Sequence, residues 1–563
     1  MKRSLLVMTA VIIFSLLLVT GAFATTTRCV NVTGSGGCFS TIQAAVTASA
    51  EGDFVTVYPG VYFEKVCIDK AGLTLMGTTS SHGGTGTIID AYSTFNGTTT
   101  TTSPAPCSDD SGIYIYDANR VTIKNLTVRN AASGYYNIYG NSNSANTTIY
   151  NVNILSSYDD GIELDGNNAK ITNSLIAGNY GYPVGMYGDM PILQYNTITN
   201  NYYEVDIDGL APLITNNTIG VVNDSYCLYV YSGADNGVVK SNRIMNCYDE
   251  GIYYDASDNV TISGNTVTNV DETCMELYLT NSKIQSNTVE FCGDSTSYDC
   301  IYGESAGGPN TYSGNIVKDC PGYGMEIYDD KPTVTGNRVT NTCETGYYIE
   351  EETTAVGGLI SNNYSGYNGS CEYYGFEIYL DNATISGNTA EYNSEDGFYI
   401  GYDSVGNNTI TKNISRWNGY GDNGYGGFYI YGDGQYVNLN QAMNNAGYGF
   451  YLEGDMTVNS NTANSNLGTG IHLDSTCYSP CPTNTMTVSA NIVKSNQGEG
   501  IVNDVTTGGA TVNINSNVSQ GNRLDICESS NTALWSSCTG NVFSTGSCTV
   551  DAGTGLNTDC DID

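Results

Sequence analysis

Glutamate and tyrosine alternate with apolar residues in segment after segment of this 563-residue chain. In "MEIYD", Met325 and Ile327 take one side of an extended strand, and Glu326 and Tyr328 take the other. The same alternation turns outward Tyr114 with Tyr116, Glu163 with Asp165, Tyr229 with Tyr231 and Glu276 with Tyr278. Glu377 with Tyr379, Tyr429 with Tyr431 and Tyr451 with Glu453 continue the series. A phenol ring offers an apolar face and a hydroxyl at low entropic cost, which suits a pyranose ring. Carboxylates between the rings accept sugar hydroxyls or hold a divalent cation, and calcium suits such oxygens. The expected carbohydrate-binding set is therefore Tyr229, Tyr231, Glu276, Tyr278, Glu326, Tyr328, Glu377 and Tyr379. The bland account of the same residues is that tyrosine has high β-propensity and stacks well on a sheet face.

A second grouping is the pair Asp159 and Asp160 in "SSYDDGIELDG". Paired carboxylates serve as acid and base in glycoside hydrolysis, so these two are the catalytic candidates. The corner recurs as "YDEGIYYDA" and "SEDGFYIGYD", which favours a structural turn. His82 and His472 are the only histidines, far from the pair in sequence, and they make a poor basis for a transition-metal site.

The elements that must position these side chains are legible as a repeat. Units begin at "VTIKNLTVRN" (Val121), "VTISGNTVTN" (Val260), "TVTGNRVTN" (Thr333), "ATISGNTAEYN" (Ala383), "MTVNSNTANSN" (Met456) and "TVNINSNVSQGN" (Thr511). Each holds three short runs that alternate with period two, the pattern of half-buried strands. Asn and Gly, which tolerate a left-handed backbone, separate the runs. Three strands per unit, corners at fixed offsets and no helical period describe an all-β fold: a single-stranded, right-handed parallel β-helix of about 17 or more coils. At ~4.8 Å per coil the rod is about 80 Å long. One coil cannot bury its own core, so the unit must repeat to fold. Corner asparagines such as Asn265, Asn315, Asn337, Asn388 and Asn461 are expected to stack into an amide ladder.

A stack needs covered ends. "FSTIQAAVTASAEGD" predicts a short N-terminal capping helix, with Ser40 and Gln43 at capping-box spacing, Ile42, Ala45, Val46 and Ser49 on one face, and Gly52 as the stop. Residues 1–24 have signal-peptide character: Lys2 and Arg3, an apolar core from Leu5 to Val19, and a small-x-small site at Ala22–Ala24. The expected organisation is a signal peptide over 1–24, a cap and first coils over 25–120, β-helix repeats over 121–525 and a disulfide-containing cap over 526–563. No second apolar stretch suggests a transmembrane anchor.

The chain carries 19 Lys and Arg against 57 Asp and Glu, a formal net charge of −38. Such a surface repels phosphate backbones, so nucleic acid is excluded as a partner. It also repels polyuronates unless cations bridge the two. Eighteen Cys follow the apolar leader, and an even number in an exported chain implies disulfides. Equivalent positions in stacked coils suggest Cys292 with Cys320 and Cys274 with Cys300. Cys29 with Cys38, Cys67 with Cys107 and Cys477 with Cys481 suit local or end-cap pairs; other pairings stay open. Sequons occur at Asn31, Asn125, Asn259, Asn382 and Asn413, some as a by-product of Asn- and Thr-rich turns.

The segment "STIQAAVTASAEGDFVTVYPGVYFEKVCIDKAGLTLMG" (Ser40 to Gly77) and the later "xxISGNxVxN" units resemble the pectin-lyase-like superfamily of right-handed β-helix proteins. The resemblance covers nearly the whole chain after the leader. It implies the fold and leaves the activity open, because members differ in chemistry. A hydrolase of this type implies an Asp group with a nearby His and an Arg-x-Lys element, and no such element follows Asp160. A lyase implies a basic residue beside calcium-binding carboxylates, for which Arg243 and Arg338 are the exposed candidates. The expected function is that of a secreted or cell-surface protein that binds an extracellular polysaccharide or surface glycan, or acts as a scaffold. The alternative is a polysaccharide lyase or glycoside hydrolase.

Overall fold

A computed structural model describes residues 25–78, 86–91, 94–95, 98–99, 106–293, 298–305, 307–352, 357–369, 371, 373–401, 406–420, 424–474, 485–505, 511–528 and 535–544. The chain winds into stacked coils of three short strands each. Thr384–Ser386, Thr389–Glu391 and Phe398–Ile400 form one coil. Each of these strands pairs in parallel with its equivalent in the coil before: Thr384 with Leu359, Thr389 with Tyr364 and Phe398 with Phe376. Three long parallel sheets result, here A, B and C in the order the chain visits them. Among the described residues sheet A has 21 strands, sheet B 20 and sheet C 19.

The alternation in each run decides which side chains enter the core. In Phe376–Tyr379, Phe376 and Ile378 are buried while Glu377 and Tyr379 are half-buried on the outside. Ile, Val and Leu stack from coil to coil into one continuous cluster. Where the inward residue is aromatic, the rings stack face to face. Tyr347, Phe376, Phe398, Phe428 and Phe450 lie 4.7–4.8 Å apart and within 5° of parallel. That separation is the strand spacing itself, so the backbone ladder sets the ring stack.

The expected amide ladder runs from Asn196 to Asn541 along the corner between sheets A and B. Each Nδ2 donates to the Oδ1 of the next coil, as from Asn315 to Asn337 at 2.9 Å and from Asn388 to Asn413 at 3.0 Å. The left-handed residue is not the ladder Asn but the one before it, such as Gly336 (φ 65°) or Gly387 (φ 69°). The Asn follows the corner and points inward. A second ladder, from Asn393 through Asn418, Asn445, Asn466 and Asn496 to Asn522, lines the corner after sheet B. Asn413 of the sequon set lies in the first ladder, its amide donating to Ile385 O and Asn440 Oδ1. That nitrogen cannot carry a glycan while the ladder stands.

The capping helix is Ile42–Thr47. Its N-cap is Thr41, one residue later than the expected Ser40, and the Thr41 Oγ1 accepts from Ala44 N. Glu64 supplies the rest of the cap: its two carboxylate oxygens accept from Ile42 N and Gln43 N. Gln43 faces the stack instead, exchanging amide hydrogen bonds with the backbone of Cys67. Ile42, Ala45 and Val46 are buried in the main core. At the other end Ile526–Glu528, Trp535–Thr539 and Val542–Phe543 continue the three sheets.

The disulfides correct two expected pairings. Cys29–Cys38 and Cys67–Cys107 form as anticipated. Cys274 pairs with Cys292, not Cys300, and Cys300 pairs with Cys320. Cys227–Cys247 follows the same rule. In each, the residue just before a sheet C strand joins the end of the next sheet B strand, closing most of one coil. The physical reason is side-chain direction. Equivalent residues in stacked strands point the same way and lie a full strand spacing apart, whereas these residues face one another across a corner. Cys343–Cys371 does join neighbouring coils. Cys477 and Cys481 lie outside the described residues.

Candidate functional site

Sheet C carries the outward tyrosines and carboxylates, and its registers show how they meet. Tyr302 pairs with Glu276 below and Glu326 above, while Glu304 pairs with Tyr278 and Tyr328. Tyr348 then pairs with Glu326 and Glu377, and Glu350 with Tyr328 and Tyr379. The order within the strand inverts at every coil, so tyrosine and glutamate form a checkerboard across two columns. Each phenol donates to the glutamate of its own strand: Tyr278 to Glu276 (2.7 Å), Tyr302 to Glu304 (2.7 Å), Tyr328 to Glu326 (2.9 Å), Tyr348 to Glu350 (2.5 Å) and Tyr379 to Glu377 (2.7 Å). Burial, then the neighbouring carboxylates, hold these phenols protonated, well above the ordinary value, in Tyr278 and Tyr302 among others.

The expected binding residues thus sit on one face, half-buried against one another. Tyr229 and Tyr231 lie lower, packed together at 4.4 Å between centroids. The coils Tyr302–Glu304 and Tyr348–Glu350, with Tyr253 and Tyr399, belong to the same face although the alternation noted above did not include them. "CIYGES" and "YYIEE" carry the inverted order and were the available signal. Between Tyr114 and Asp504 no outward position of sheet C in the described residues is Lys or Arg.

Besides a one-residue register shift near the upper end, between Val512 and Asn513, a coil in the middle departs from the regular stack. Strand Ile252–Asp258 has seven residues, and its register against Met275–Thr280 slips between Tyr254 and Ser257. This β-bulge opens a cavity of about 480 Å³ lined by Asp235, Asp255, Ala256, Ser257, Asp258, Tyr278, Thr280 and Glu304. Ser257 is 7% exposed, and its Oγ has no hydrogen-bond partner. Asp258 N is held by Asp235 Oδ1 at 2.8 Å, and Tyr254 anchors the strand from inside through its hydroxyl to Ala234 O at 2.7 Å.

Asp159 and Asp160 are clips between coils. Asp160 Oδ1 accepts from Tyr182 N at 2.7 Å, and Asp159 Oδ2 accepts from Gly134 N at 2.8 Å. The same use recurs at Asp299, which accepts from Tyr323 N at 2.8 Å. Burial pushes Asp160 up to about 6; burial, with Asp165 beside it, pushes Glu163 up to about 7. Burial likewise raises Asp206 to about 7. Arg243 and Arg338 begin sheet B strands, so they stand on a different face from the carboxylates of sheet C. Arg338 lies over the ring of Tyr364 at 3.9 Å. His472 does join sheet C, stacked on Tyr451 at 4.6 Å, whereas His82 lies outside the described residues. Among the described residues no three His, Cys, Asp or Glu are grouped to hold one metal ion, and no helix is long and apolar enough to cross a membrane.

A second aromatic strip, not anticipated from sequence, lies at the corner after sheet B. Tyr367, Tyr392 and Trp417 stack at 4.9 and 5.0 Å, each with a left-handed backbone.

Fold and surface together define a parallel β-solenoid with one tyrosine- and carboxylate-covered face. The chain belongs to the family described as right handed beta helix region, whose model matches residues 136–289 and 359–519, more than half of its length. No curated protein matches it. Similar solved structures include the Dettilon tailspike protein, at 14% identity and a TM-score of 0.39, covering 60% of this chain and 65% of the tailspike. Another is pectin methylesterase PemA from Erwinia chrysanthemi, at 15% identity and a TM-score of 0.27, covering 44% of this chain and 80% of the enzyme. Pectate lyase Pel9A, at 15% identity and a TM-score of 0.22, covers 65% and 80%. These likenesses concern the fold alone.

Proposed function

We propose that this chain is an exported rod that binds a polysaccharide along sheet C, with its anchor in the cavity at the Ser257 bulge. The observation that carries this reading is an open cavity at the bulge whose walls are four carboxylates, a threonine hydroxyl and a tyrosine, while Ser257 itself turns toward the core in register with Leu279. The four carboxylates, in no ion pair among the described residues, are acceptors, so the fitting ligand is rich in donors: a neutral or amino-bearing glycan. A polyuronate would need bridging calcium. The disulfides are consistent with a secreted or cell-surface location.

Retention on immobilised glycans tests the reading. Neutral and amino-bearing gels should retain the protein, and polygalacturonate should do so only with calcium. Asp255→Asn combined with Asp235→Asn should weaken retention, as should Tyr278→Ala, Tyr328→Ala and Tyr379→Ala together. Unchanged retention of these variants, or no retention on any gel, would sink the proposal. Release of reducing ends or unsaturated uronates from the same glycans, lost in Asp160→Ala, would favour the lyase or hydrolase alternative.

A further inference from the structure

We propose that sheet C conducts one-electron oxidising equivalents along the rod, by hopping through an unbroken file of ten tyrosines, seven of whose phenols donate to a carboxylate. The file runs from Tyr229 to Tyr451 and ends on His472. Its first step, Tyr229 to Tyr253, is 4.9 Å between centroids. The zigzag through Tyr278, Tyr302, Tyr328, Tyr348 and Tyr379 takes steps of 5.7–5.9 Å. Tyr399 follows at 6.0 Å, then Tyr429 at 5.1 Å, Tyr451 at 5.0 Å and His472 at 4.6 Å. The span is ten coil steps, about 50 Å at ~4.8 Å each. Electron tunnelling decays exponentially with distance, so ten short hops outrun one long transfer by a wide margin.

Packing alone does not account for this arrangement. The buried Tyr347–Phe450 stack shows what packing produces: one column, rings nearly parallel. In the central part of sheet C the rings instead step diagonally between two columns and tilt by 51–58°. The diagonal lets each ring touch its neighbours in both adjacent coils while its hydroxyl stays on a carboxylate. A glycan-binding face has no need of an unbroken ring file.

The chemistry balances with a one-electron oxidant in solution, of the class of peroxide-derived radicals or high-valent metal complexes. The oxidant takes one electron from Tyr451 and is reduced by one unit. The O–H bond of Tyr451 breaks and its proton passes to Asp474 Oδ2, to which the hydroxyl already donates. A neutral tyrosyl radical and a carboxylic acid remain. In the next hop Tyr429 gives an electron to that radical and its own proton to Glu453 Oε2, 3.1 Å away. The proton on Asp474 returns to the Tyr451 oxygen. The hole has moved one coil, and each proton has only rocked across its own hydrogen bond; at Tyr399, Tyr253 and Tyr229, whose hydroxyls donate to no carboxylate among the described residues, the proton passes to water and is taken back from it as the hole leaves.

The test places a ruthenium polypyridyl photo-oxidant at the upper end, through an azide-bearing amino acid in place of Asp504. After a flash with a sacrificial quencher, tyrosyl radicals are trapped with a nitroso compound, and the adducts are mapped by mass spectrometry. In the full chain adducts should extend down to Tyr253 and Tyr229. Tyr328→Phe with Tyr348→Phe keeps both rings and removes both O–H groups, and should abolish adducts below the break. Glu326→Gln with Glu350→Gln leaves every tyrosine in place, removes two proton acceptors, and should have the same effect. Far-UV circular dichroism checks the fold, and Tyr302→Phe alone replaces any pair that fails it. Adducts confined to Tyr451 in the full chain, or adducts at Tyr229 undiminished in the variants, would overturn the inference. Neither result bears on glycan retention.

Discussion

Replacing Asn337 by alanine breaks the amide ladder at its middle, and its cost follows from the bonds at that position. Asn337 Oδ1 accepts from Asn315 N and from Asn315 Nδ2, both at 2.9 Å. Its Nδ2 donates to Asn363 Oδ1 at 3.1 Å and to Tyr312 O at 2.8 Å. The side chain is 1% exposed, so water cannot replace it. Truncation orphans the Asn315 N–H, at ~1–3 kcal/mol, and deletes three further hydrogen bonds worth about 1 kcal/mol each, for a total of about 5 kcal/mol. Coils interact chiefly with their neighbours, so the loss should be local. Urea denaturation followed by circular dichroism reports the total, and hydrogen exchange of the peptide holding Asn315 reports the place. Asn337→Asp is the sharper probe. A carboxylate oxygen then faces Asn363 Oδ1 and Tyr312 O, two acceptors, and the folded state raises its pKa above the unfolded value. Protonation restores one donor, so this variant should match the parent more closely in acid and fall behind as pH rises through the raised value. A loss below about 1 kcal/mol for Asn337→Ala, with exchange at Asn315 unchanged, would refute the reasoning that the ladder holds the stack.

Three further outcomes are expected. Phe398→Ala opens a gap in the stacked Phe column between Phe376 and Phe428 and should cost ~3–5 kcal/mol; a loss near that of a surface substitution would contradict the packing account. Peptide mapping without reduction should return Cys274 linked to Cys292 and Cys300 to Cys320, and removing Cys274 and Cys292 together should cost about 3 kcal/mol for a loop of this size; a Cys274–Cys300 peptide would show the coil geometry to be wrong. Burial raises the folded pKa values of Glu163 and Asp206 to about 7, above the ordinary carboxylate range. Their protonated forms are therefore favoured by folding: the contribution is full below the unfolded values and fades as pH rises through about 7. The melting temperature should fall from about pH 5 to about pH 8, less so in Glu163→Gln with Asp206→Asn, and a melting temperature that rises over that range would contradict the burial of these groups.

Local features carried most of the legible part. The alternation in "GFEIYLD" names which residues enter the core, because a strand's side chains must alternate whatever lies above it. The Asn after each corner marked the ladder, though not which residue turns left-handed. That the Tyr302 and Tyr348 coils reverse the order of their neighbours signifies nothing until coils are stacked. That Asp159 and Asp160 each accept a backbone amide of a neighbouring coil is likewise invisible until coils are stacked.

By itself the sequence determined the repeating strand, its inward columns, its corners and the acidic character of the surface. Those are properties of single units and of composition. Only the tertiary structure decided which tyrosine meets which glutamate, which cysteines pair, and where the Ser257 cavity opens. These depend on the vertical register between coils, and that register is set by loops of variable length and by an extra residue where a strand bulges, as at Tyr254–Ser257. A relation between neighbours in a stack is written in no one of them.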